Sequence, residues 1–309
     1  MRLIPLSLAV FGASLLAGAA LALSSRSASA AGSPPSAGGD ASGVGGDAGR
    51  TFGIAPSSTL TLANAPVDPL TASGRELMLA AGRLSGEARE RLLLAAILGG
   101  NHPPLEWIPL SLPVPSQPGR TVTVGVLADY LRVGRTSPVR VPLWPSTAQR
   151  AADHFRAMLP PKAMVDTIWR AAMIKVAPRS MQPRDGASRE SGVLTVEHDD
   201  HVNAAIGGRV GLIAGQKKDI IVGGAIVRNP GKVIIYGWHR TSGEPIQPAS
   251  AVHSARYVDY SHGTRLLHGE AVVDGRAVAL ADVLADPALA PAITGSEGTL
   301  SLAAMRYSV

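Results

Sequence analysis

The sequence predicts an α+β fold, with N-terminal helices followed by a small, mostly antiparallel sheet. Helical apolar periodicity is concentrated in the first half of the chain, and short β-branched runs bounded by Gly, Asn and Pro are concentrated in the second half. Because helices precede strands, regular βαβ alternation is not predicted. We divide the chain into a signal peptide (1–30), a Gly/Ser/Ala-rich disordered tether (31–58) and a single globular domain (59–309).

The first 30 residues have the three parts of a secretory signal peptide. Met1-Arg2 is a short positive region, Leu3 to Leu23 is an uncharged and mostly apolar run, and Ala28-Ser29-Ala30 fits a signal-peptidase site. The alternative is an uncleaved membrane anchor, since about 20 apolar residues span a bilayer. We favour cleavage, which predicts export to the periplasm or the extracellular space and no stable membrane span afterwards.

Helices are predicted from apolar stripes and from start and stop signals. The second helix has an acidic first turn and ends at Gly99-Gly100, the third starts at Pro145, and Pro160-Pro161 ends it. A Pro-rich patch, Pro103–Pro109, is predicted to be irregular. The predicted helices are Ser73–Ala81, Ser85–Leu98, Pro145–Leu159, Ala163–Val176 and Val278–Leu284.

Strands are predicted where polar and apolar residues alternate or where β-branched runs lie between turn residues. The turn Asn229-Pro230-Gly231 lies between two such runs, which are therefore expected to be neighbouring strands. The predicted strands are Thr121–Val124, Val139–Leu143, Asp219–Val222, Lys232–Tyr236 and Tyr257–Leu267.

Composition excludes several classes of site. The chain has no cysteine, which removes thiol catalysis, Cys-ligated zinc and iron–sulfur clusters. The net charge is +6, but the basic residues are scattered and aromatic residues are only 4%. Nucleic-acid binding by a basic and aromatic stripe is therefore not expected.

A histidine-rich block, residues 237–269, is the best candidate for a functional site. It holds four of the eight histidines together with Asp259. Imidazole and carboxylate groups suit zinc and other divalent metals, so His239, His253 and His262, with Asp259, are one predicted ligand set. The segment Glu197–His201 holds two more histidines, either on one helical face or in a solvated turn.

The same block also allows metal-free chemistry, in which His239 and His262 act as acid–base groups and Asp259 orients one of them. Ser261 is a candidate nucleophile. Because adjacent strand residues point to opposite faces, its expected base is His239 or His253 rather than His262, oriented by Asp259 or Asp219.

Other side chains are candidates for substrate contact. Arg265 or Lys218 is expected to neutralise charge on the substrate or on a developing oxyanion. Lys218, Tyr257 and Trp238 are candidate substrate-binding residues, although core packing is the ordinary role of a tryptophan.

Two short motifs resemble the end of an L,D-transpeptidase catalytic domain. They are Gly237-Trp238-His239 and, downstream, Ser261-His262-Gly263-Thr264-Arg265. In that family an upstream His-Gly segment precedes a Ser-His-Gly-Cys-x-Arg signature. Thr264 stands in the position of the family's cysteine nucleophile, and Arg265 comes one residue early. The resemblance therefore implies a preference for cell-wall substrates without the family's thiol mechanism.

Together these features predict a secreted or periplasmic hydrolase that acts on an extracellular polymer, with cell-wall peptide or glycan preferred. A histidine-based acid–base mechanism or a divalent metal such as zinc would supply the chemistry. The alternative is a non-catalytic protein of the cell envelope, in which the tether carries a domain that binds a glycan or a protein partner.

Overall fold

The computed structural model describes residues 65–184 and 188–308, so the predicted signal peptide and tether lie outside the described residues. The described residues fall within one compact unit. They confirm the predicted α+β class, with eight helices and mostly antiparallel strands. The helices are α1 Gly74–Ala81, α2 Gly86–Leu98, α3 Pro145–His154, α4 Lys162–Ala171, α5 Gly192–Ile206, α6 Gly224–Arg228, α7 Leu280–Ala285 and α8 Pro291–Thr294.

Strands occur in both halves of the described chain, interspersed among the helices. They are β1 Trp107–Pro113, β2 Thr121–Leu127, β3 Arg132–Val133, β4 Val139–Arg140, β5 Ala157–Met158, β6 Ile174–Lys175, β7 Ile213–Ala214, β8 Lys218–Ile220, β9 Ile235–His239, β10 Pro245–Ser250, β11 His262–Gly263, β12 Leu267–Val273 and β13 Arg276–Ala279.

The larger sheet has the order β1-β2-β12-β13, with β5 also pairing with β12, so it joins strands from the two halves of the chain. Its pairs are antiparallel. Val122, Val124 and Val126 of β2 are fully buried and contribute to the main core beneath it. This alternation is the one that predicted the strand.

The smaller sheet has the order β10-β9-β8-β11. β8 and β9 pair antiparallel, as the two β-branched runs and the turn between them predicted. β11 adds to the other edge of β8 in parallel orientation. The strands of this sheet carry the predicted site residues Lys218, Trp238, His239 and His262, and the others lie in the segments on either side of β11.

Several elements differ from the prediction, each for a local reason. The Pro-rich patch predicted to be irregular runs into β1, whose two prolines lie on an edge strand where a missing N–H is tolerated. The helix predicted to reach Val176 ends at Ala171, because Ile174 and Lys175 pair in parallel with β7. The histidine segment Glu197–His201 belongs to the helix α5 rather than to a turn.

Helix α1 begins with a capping box. The Ser73 hydroxyl accepts from the Glu76 backbone N–H at 3.3 Å, and the Glu76 carboxylate accepts from the Ser73 backbone N–H at 2.8 Å. Helix α1 also packs closely against the start of α5, where a Cβ on Gly192 would lie 2.0 Å from the Met78 carbonyl oxygen. Only glycine allows this approach.

We expect Ser73→Ala to lower the free energy of unfolding by about 1 kcal/mol, because it removes the cap of α1. Ser85 is the matched control: it occupies the N-cap of α2, but its side chain makes no capping hydrogen bond. Urea denaturation of both variants checks the expectation. Equal losses in the two variants would show that the capping box of α1 does not contribute.

No helix in residues 65–184 or 188–308 has both the length and the apolar character needed to cross a membrane.

Candidate functional site

The side chains of the predicted site residues lie on two faces of the smaller sheet, and strand β8 contributes a residue to each face. Lys218 pairs directly with His262, and Asp219 pairs with Gly263 and Tyr236. Directly paired residues share a face, and successive residues alternate. Lys218 and His262 therefore lie on one face, and Asp219 lies on the other.

The first group of side chains is called the His262 cluster. It consists of Lys218, His253, Tyr257, Asp259, Ser261 and His262.

Asp259 is the centre of the His262 cluster. Its carboxylate accepts from the Ser261 backbone N–H at 2.8 Å, the Ser261 hydroxyl at 2.5 Å and the Tyr257 hydroxyl at 3.2 Å. The Lys218 ammonium lies 3.6 Å away, and His262 Nε2 lies 4.0 Å away. Burial opposes ionisation, but His262, Lys218 and the Ser261 hydrogen bonds outweigh it and lower the pKa of Asp259 to about 2.

His262 is fully buried beneath this carboxylate. Within the described part of the chain, neither ring nitrogen of His262 has a hydrogen-bond partner. Burial lowers the pKa of His262 to about 4, so the ring is neutral at physiological pH. The His253 ring stacks on Tyr257 at 4.1 Å, and Tyr257 meets the His262 ring edge-to-face at 5.8 Å. The structure therefore brings His253, Asp259 and His262 together around Tyr257.

Ser261 was predicted as a nucleophile with a histidine base, but its hydroxyl donates to Asp259. The hydroxyl proton of Ser261 therefore points at the Asp259 carboxylate and not at a histidine. Arg265 was predicted to face charge on a substrate. Its two terminal nitrogens donate instead to the main-chain carbonyls of Leu127 and Ile213, at 2.8 and 2.7 Å. Both side chains are buried and hold the local backbone.

The candidate substrate-binding residues lie on the His262 face. The Lys218 ammonium is 4.9 Å from the centre of the Trp238 ring, a cation–π distance. Trp238 is 8% exposed, and its backbone has a φ of 56°. It is therefore mostly a packed residue, as the ordinary role of a tryptophan suggests.

The second group of side chains is called the His239 cluster. It consists of Lys162, Asp166, Asp219, Tyr236 and His239.

Asp166 on α4 connects the members of the His239 cluster. Its carboxylate accepts from the Tyr236 hydroxyl at 2.6 Å and from the Lys162 ammonium at 2.9 Å, and it lies 3.1 Å from His239 Nε2. Burial alone would raise its pKa. The hydrogen bonds from His239, Tyr236 and Lys162 outweigh that effect and hold the pKa well below the usual range.

The Asp166 contact fixes the orientation and tautomer of His239. An ionised carboxylate only accepts hydrogen bonds, so Nε2 carries the proton and Nδ1 carries the lone pair. The ring is held further by stacking on Trp169 at 5.7 Å and by an edge contact with Tyr236 at 5.6 Å. His239 is therefore a pre-oriented imidazole whose basic nitrogen is Nδ1.

Gly237 places only a Cα beside this basic nitrogen. Its φ is 107°, which favours glycine, and a Cβ there would lie 3.4 Å from His239 Nδ1 and 3.5 Å from Asp219 Oδ2. The third neighbour is a methyl group of Val165, at 3.3 Å. His239 Nδ1 and Asp219 Oδ2 therefore both face the Cα of Gly237, which has no side chain to separate them. A reacting group that contacts both the base and the carboxyl group would have to approach next to this Cα.

The carboxyl group near Gly237 belongs to Asp219. It is buried, Oδ2 accepts from the Tyr130 hydroxyl at 2.9 Å, and Oδ1 has no partner among the described residues. Burial raises the pKa of Asp219 to about 6. Asp219 and Asp166 thus have pKa values displaced in opposite directions, the arrangement by which one site holds an acid and an anion together.

The three histidines predicted as metal ligands do not surround one point. His239 belongs to one face of the sheet, and His253 and His262 belong to the other cluster. Across residues 65–184 and 188–308, no three His, Asp or Glu side chains are placed to hold a metal ion. The residues present therefore do not fit the predicted zinc site.

Sequence reasoning did not identify Asp166, Lys162 or Tyr130. Asp166 lies on the helix predicted over Ala163–Val176, and Lys162 directly precedes the predicted start. The two lie four residues apart on α4, a spacing that places them on one face as an ion pair. That spacing was a signal available in the sequence. The contact between Asp166 and His239 spans 73 residues and had no sequence signal.

Comparison with family models, with curated proteins and with solved structures finds no match to this chain. The resemblance to L,D-transpeptidases therefore stays confined to the two short motifs. Thr264, in the position of that family's cysteine, is fully buried.

Proposed function

We propose that the chain is a hydrolase in which His239 is the general base and Asp219 is the general acid. The observation that carries the proposal is that His239 Nδ1 and Asp219 Oδ2 both face the Cα of Gly237, each within 3.5 Å of the point that a Cβ there would occupy. Asp166 orients the base through Nε2. A base, an acid and an orienting carboxylate are the groups that metal-free hydrolysis needs.

The proposed reaction is cleavage of an amide bond. A water molecule beside Gly237 gives a proton to His239 Nδ1 while its oxygen forms a bond to the carbonyl carbon. The carbon–nitrogen bond then breaks, and the leaving nitrogen takes the carboxyl proton of Asp219. Transfer of the His239 proton back to Asp219 restores both groups. A single buried acid beside a histidine favours amide over glycoside cleavage, for which a pair of carboxyl groups is usual.

The partly exposed edge of the site supports a substrate that carries negative charge. The Lys162 and Asp166 side chains are 45% and 24% exposed, whereas His239 is 4% exposed. Lys162 therefore stands at the solvent edge, where its ammonium can neutralise a substrate carboxylate or a developing oxyanion. Cell-wall peptides carry such carboxylates. We propose them as the substrate class, together with the export that residues 1–30 predict.

We expect His239→Gln to lower activity on purified peptidoglycan by about 100-fold, because glutamine keeps hydrogen bonding but cannot act as a base. His201→Gln is the matched control, since His201 is an exposed histidine on α5. Release of new amines measures peptide cleavage, and release of reducing ends measures glycan cleavage.

Loss of amine release in His239→Gln, with unchanged release in His201→Gln, supports the proposal. Reducing ends in place of amines would move the substrate to glycan. Binding of the polymer with no cleavage by the wild-type protein would favour the non-catalytic envelope protein instead.

A further inference from the structure

A cavity of about 340 Å³ lies on a different part of the protein from the clusters above. It is lined by the segment before β1, by the end of β2, and by the turn that follows α5. Its volume lies within the range of about 300–1,000 Å³ that is typical of small-molecule sites. Asp166, Asp219 and His239 do not line it, although Tyr130, which donates to Asp219, does.

Three arginines line the cavity, and two of them already have partners. Arg140 is buried between Asp129, at 2.5 Å, and Asp199, at 2.7 Å. Arg209 donates to main-chain carbonyls at the C-terminal end of α5. Arg132 is the third. Its guanidinium forms no hydrogen bond or ion pair with any residue of 65–184 or 188–308, although Asp129 lies within range of its charge.

The β3–β4 hairpin explains why Arg132 faces this cavity. Arg132 and Arg140 are direct partners in the hairpin and share one face. Arg140 takes both nearby carboxylates, so the guanidinium of Arg132 keeps its planar fork of N–H donors. That fork matches the geometry of a carboxylate.

The cavity also holds an acceptor without a partner. Glu106 is exposed and lines the cavity, and its carboxylate forms no hydrogen bond or ion pair in the described segments. The cavity therefore offers one carboxylate and one guanidinium, both unpaired and apart from each other. Apolar side chains, including Leu127, Ile206 and Ile213, also line the cavity.

We propose that this cavity binds a small zwitterion, either a free amino acid or a short peptide with free ends. Arg132 takes the carboxylate, Glu106 takes the ammonium group, and the apolar wall contacts the side chains. None of the reacting groups lines the cavity, although Tyr130, which does, donates to Asp219.

Isothermal titration with three peptides tests the proposal. The probes are alanyl-alanine, its N-acetyl form, which lacks the ammonium group, and its amide, which lacks the carboxylate. The wild-type protein is expected to bind alanyl-alanine about ten- to a hundredfold more tightly than either blocked form, the effect of one charge-assisted hydrogen bond.

Variants assign each end of the ligand to its residue. Arg132→Gln is expected to bind alanyl-alanine no more tightly than it binds the amide of the dipeptide. Glu106→Gln is expected to bind alanyl-alanine no more tightly than it binds the N-acetyl form. Arg150→Gln is the control, because Arg150 is an exposed arginine on α3 that does not line the cavity. Thermal melts verify that each variant is folded, and Arg132→Met replaces Arg132→Gln if that variant does not fold.

No detectable binding of alanyl-alanine by the wild-type protein would overturn the proposal. Equal binding by Arg132→Gln, Glu106→Gln and the wild-type protein would overturn it as well, because it would place the ligand elsewhere. Neither result depends on whether the protein hydrolyses peptidoglycan.

Discussion

Replacing Arg140 with methionine is expected to lower the free energy of unfolding by about 3–5 kcal/mol, the effect of removing one partner from a buried ion pair. Arg140 is 1% exposed and donates to Asp129, Asp199 and Asn203. Methionine keeps an unbranched stem but no charge. Two buried carboxylates would then lose the cation that compensates them. Urea denaturation at about pH 7.5 measures the loss.

Arg120→Gln is the control for this variant. Arg120 also forms a direct ion pair, with Asp274 at 2.7 Å, but the two side chains are 34% and 56% exposed. An exposed pair contributes at most about 1 kcal/mol. If Arg140→Met loses no more stability than Arg120→Gln, the buried network does not stabilise the fold.

The difference between Arg140→Met and the wild-type protein should shrink as the pH falls. Burial favours the protonated form of Asp129, but Arg140 outweighs it and holds the pKa of Asp129 below its ordinary value. The ionised Asp129 carboxylate therefore stabilises the folded state above its unfolded-state pKa. This stabilisation is lost as the pH falls through its lower folded-state pKa. In Arg140→Met, burial raises the folded-state pKa of Asp129. The buried carboxylate is therefore neutralised by protonation at a higher pH in the variant than in the wild-type protein. Urea denaturation at about pH 4.5 tests whether the free energies of unfolding of the two proteins become more similar.

The helices with clear terminal signals were the part of the fold that could be predicted best. Ser73 and Glu76 form the box that starts α1, and Gly99 follows the end of α2. These signals act within a few residues, so they are visible in the sequence. Strand β1 was missed because its prolines argue against a strand unless its edge position in the sheet is known.

The histidine-rich block was predicted as one site, and the structure divides it. His239 and His262 lie in the same stretch of sequence, yet they belong to two strands on opposite sides of β8. The positive φ values of Gly237 and Trp238 also interrupt the simple alternation of β9. Proximity in sequence therefore did not indicate proximity in space. The partners that complete the His239 cluster, Asp166 and Asp219, come from other elements.

Replacing Asp219 with asparagine is expected to lower amide hydrolysis by about 10²–10⁴-fold, the range for loss of a general acid. Asparagine keeps the size of the side chain and can still accept from the Tyr130 hydroxyl, but it has no acidic proton. In the wild-type protein the acid must be protonated, so kcat/KM should fall as the pH rises through about 6, the pKa of Asp219. Steady-state rates across this pH range should show that decline in the wild-type protein and not in the residual activity of Asp219→Asn.

The same substitution should stabilise the fold at high pH. Burial raises the pKa of Asp219 from 3.8 to about 6, so the folded state favours the protonated carboxyl group. The stabilising effect of protonation is complete below the unfolded-state pKa and is lost as the pH rises through the folded-state pKa. At about pH 8, Asp219→Asn should therefore unfold with a free energy about 1–3 kcal/mol higher than the wild-type protein, and the difference should vanish near about pH 4. Asp282→Asn, at an exposed position on α7, should change neither activity nor stability. If Asp219→Asn loses both activity and stability, Asp219 has a structural role. A catalytic carboxyl group whose burial destabilises the fold should instead give lower activity and a higher free energy of unfolding when it is replaced.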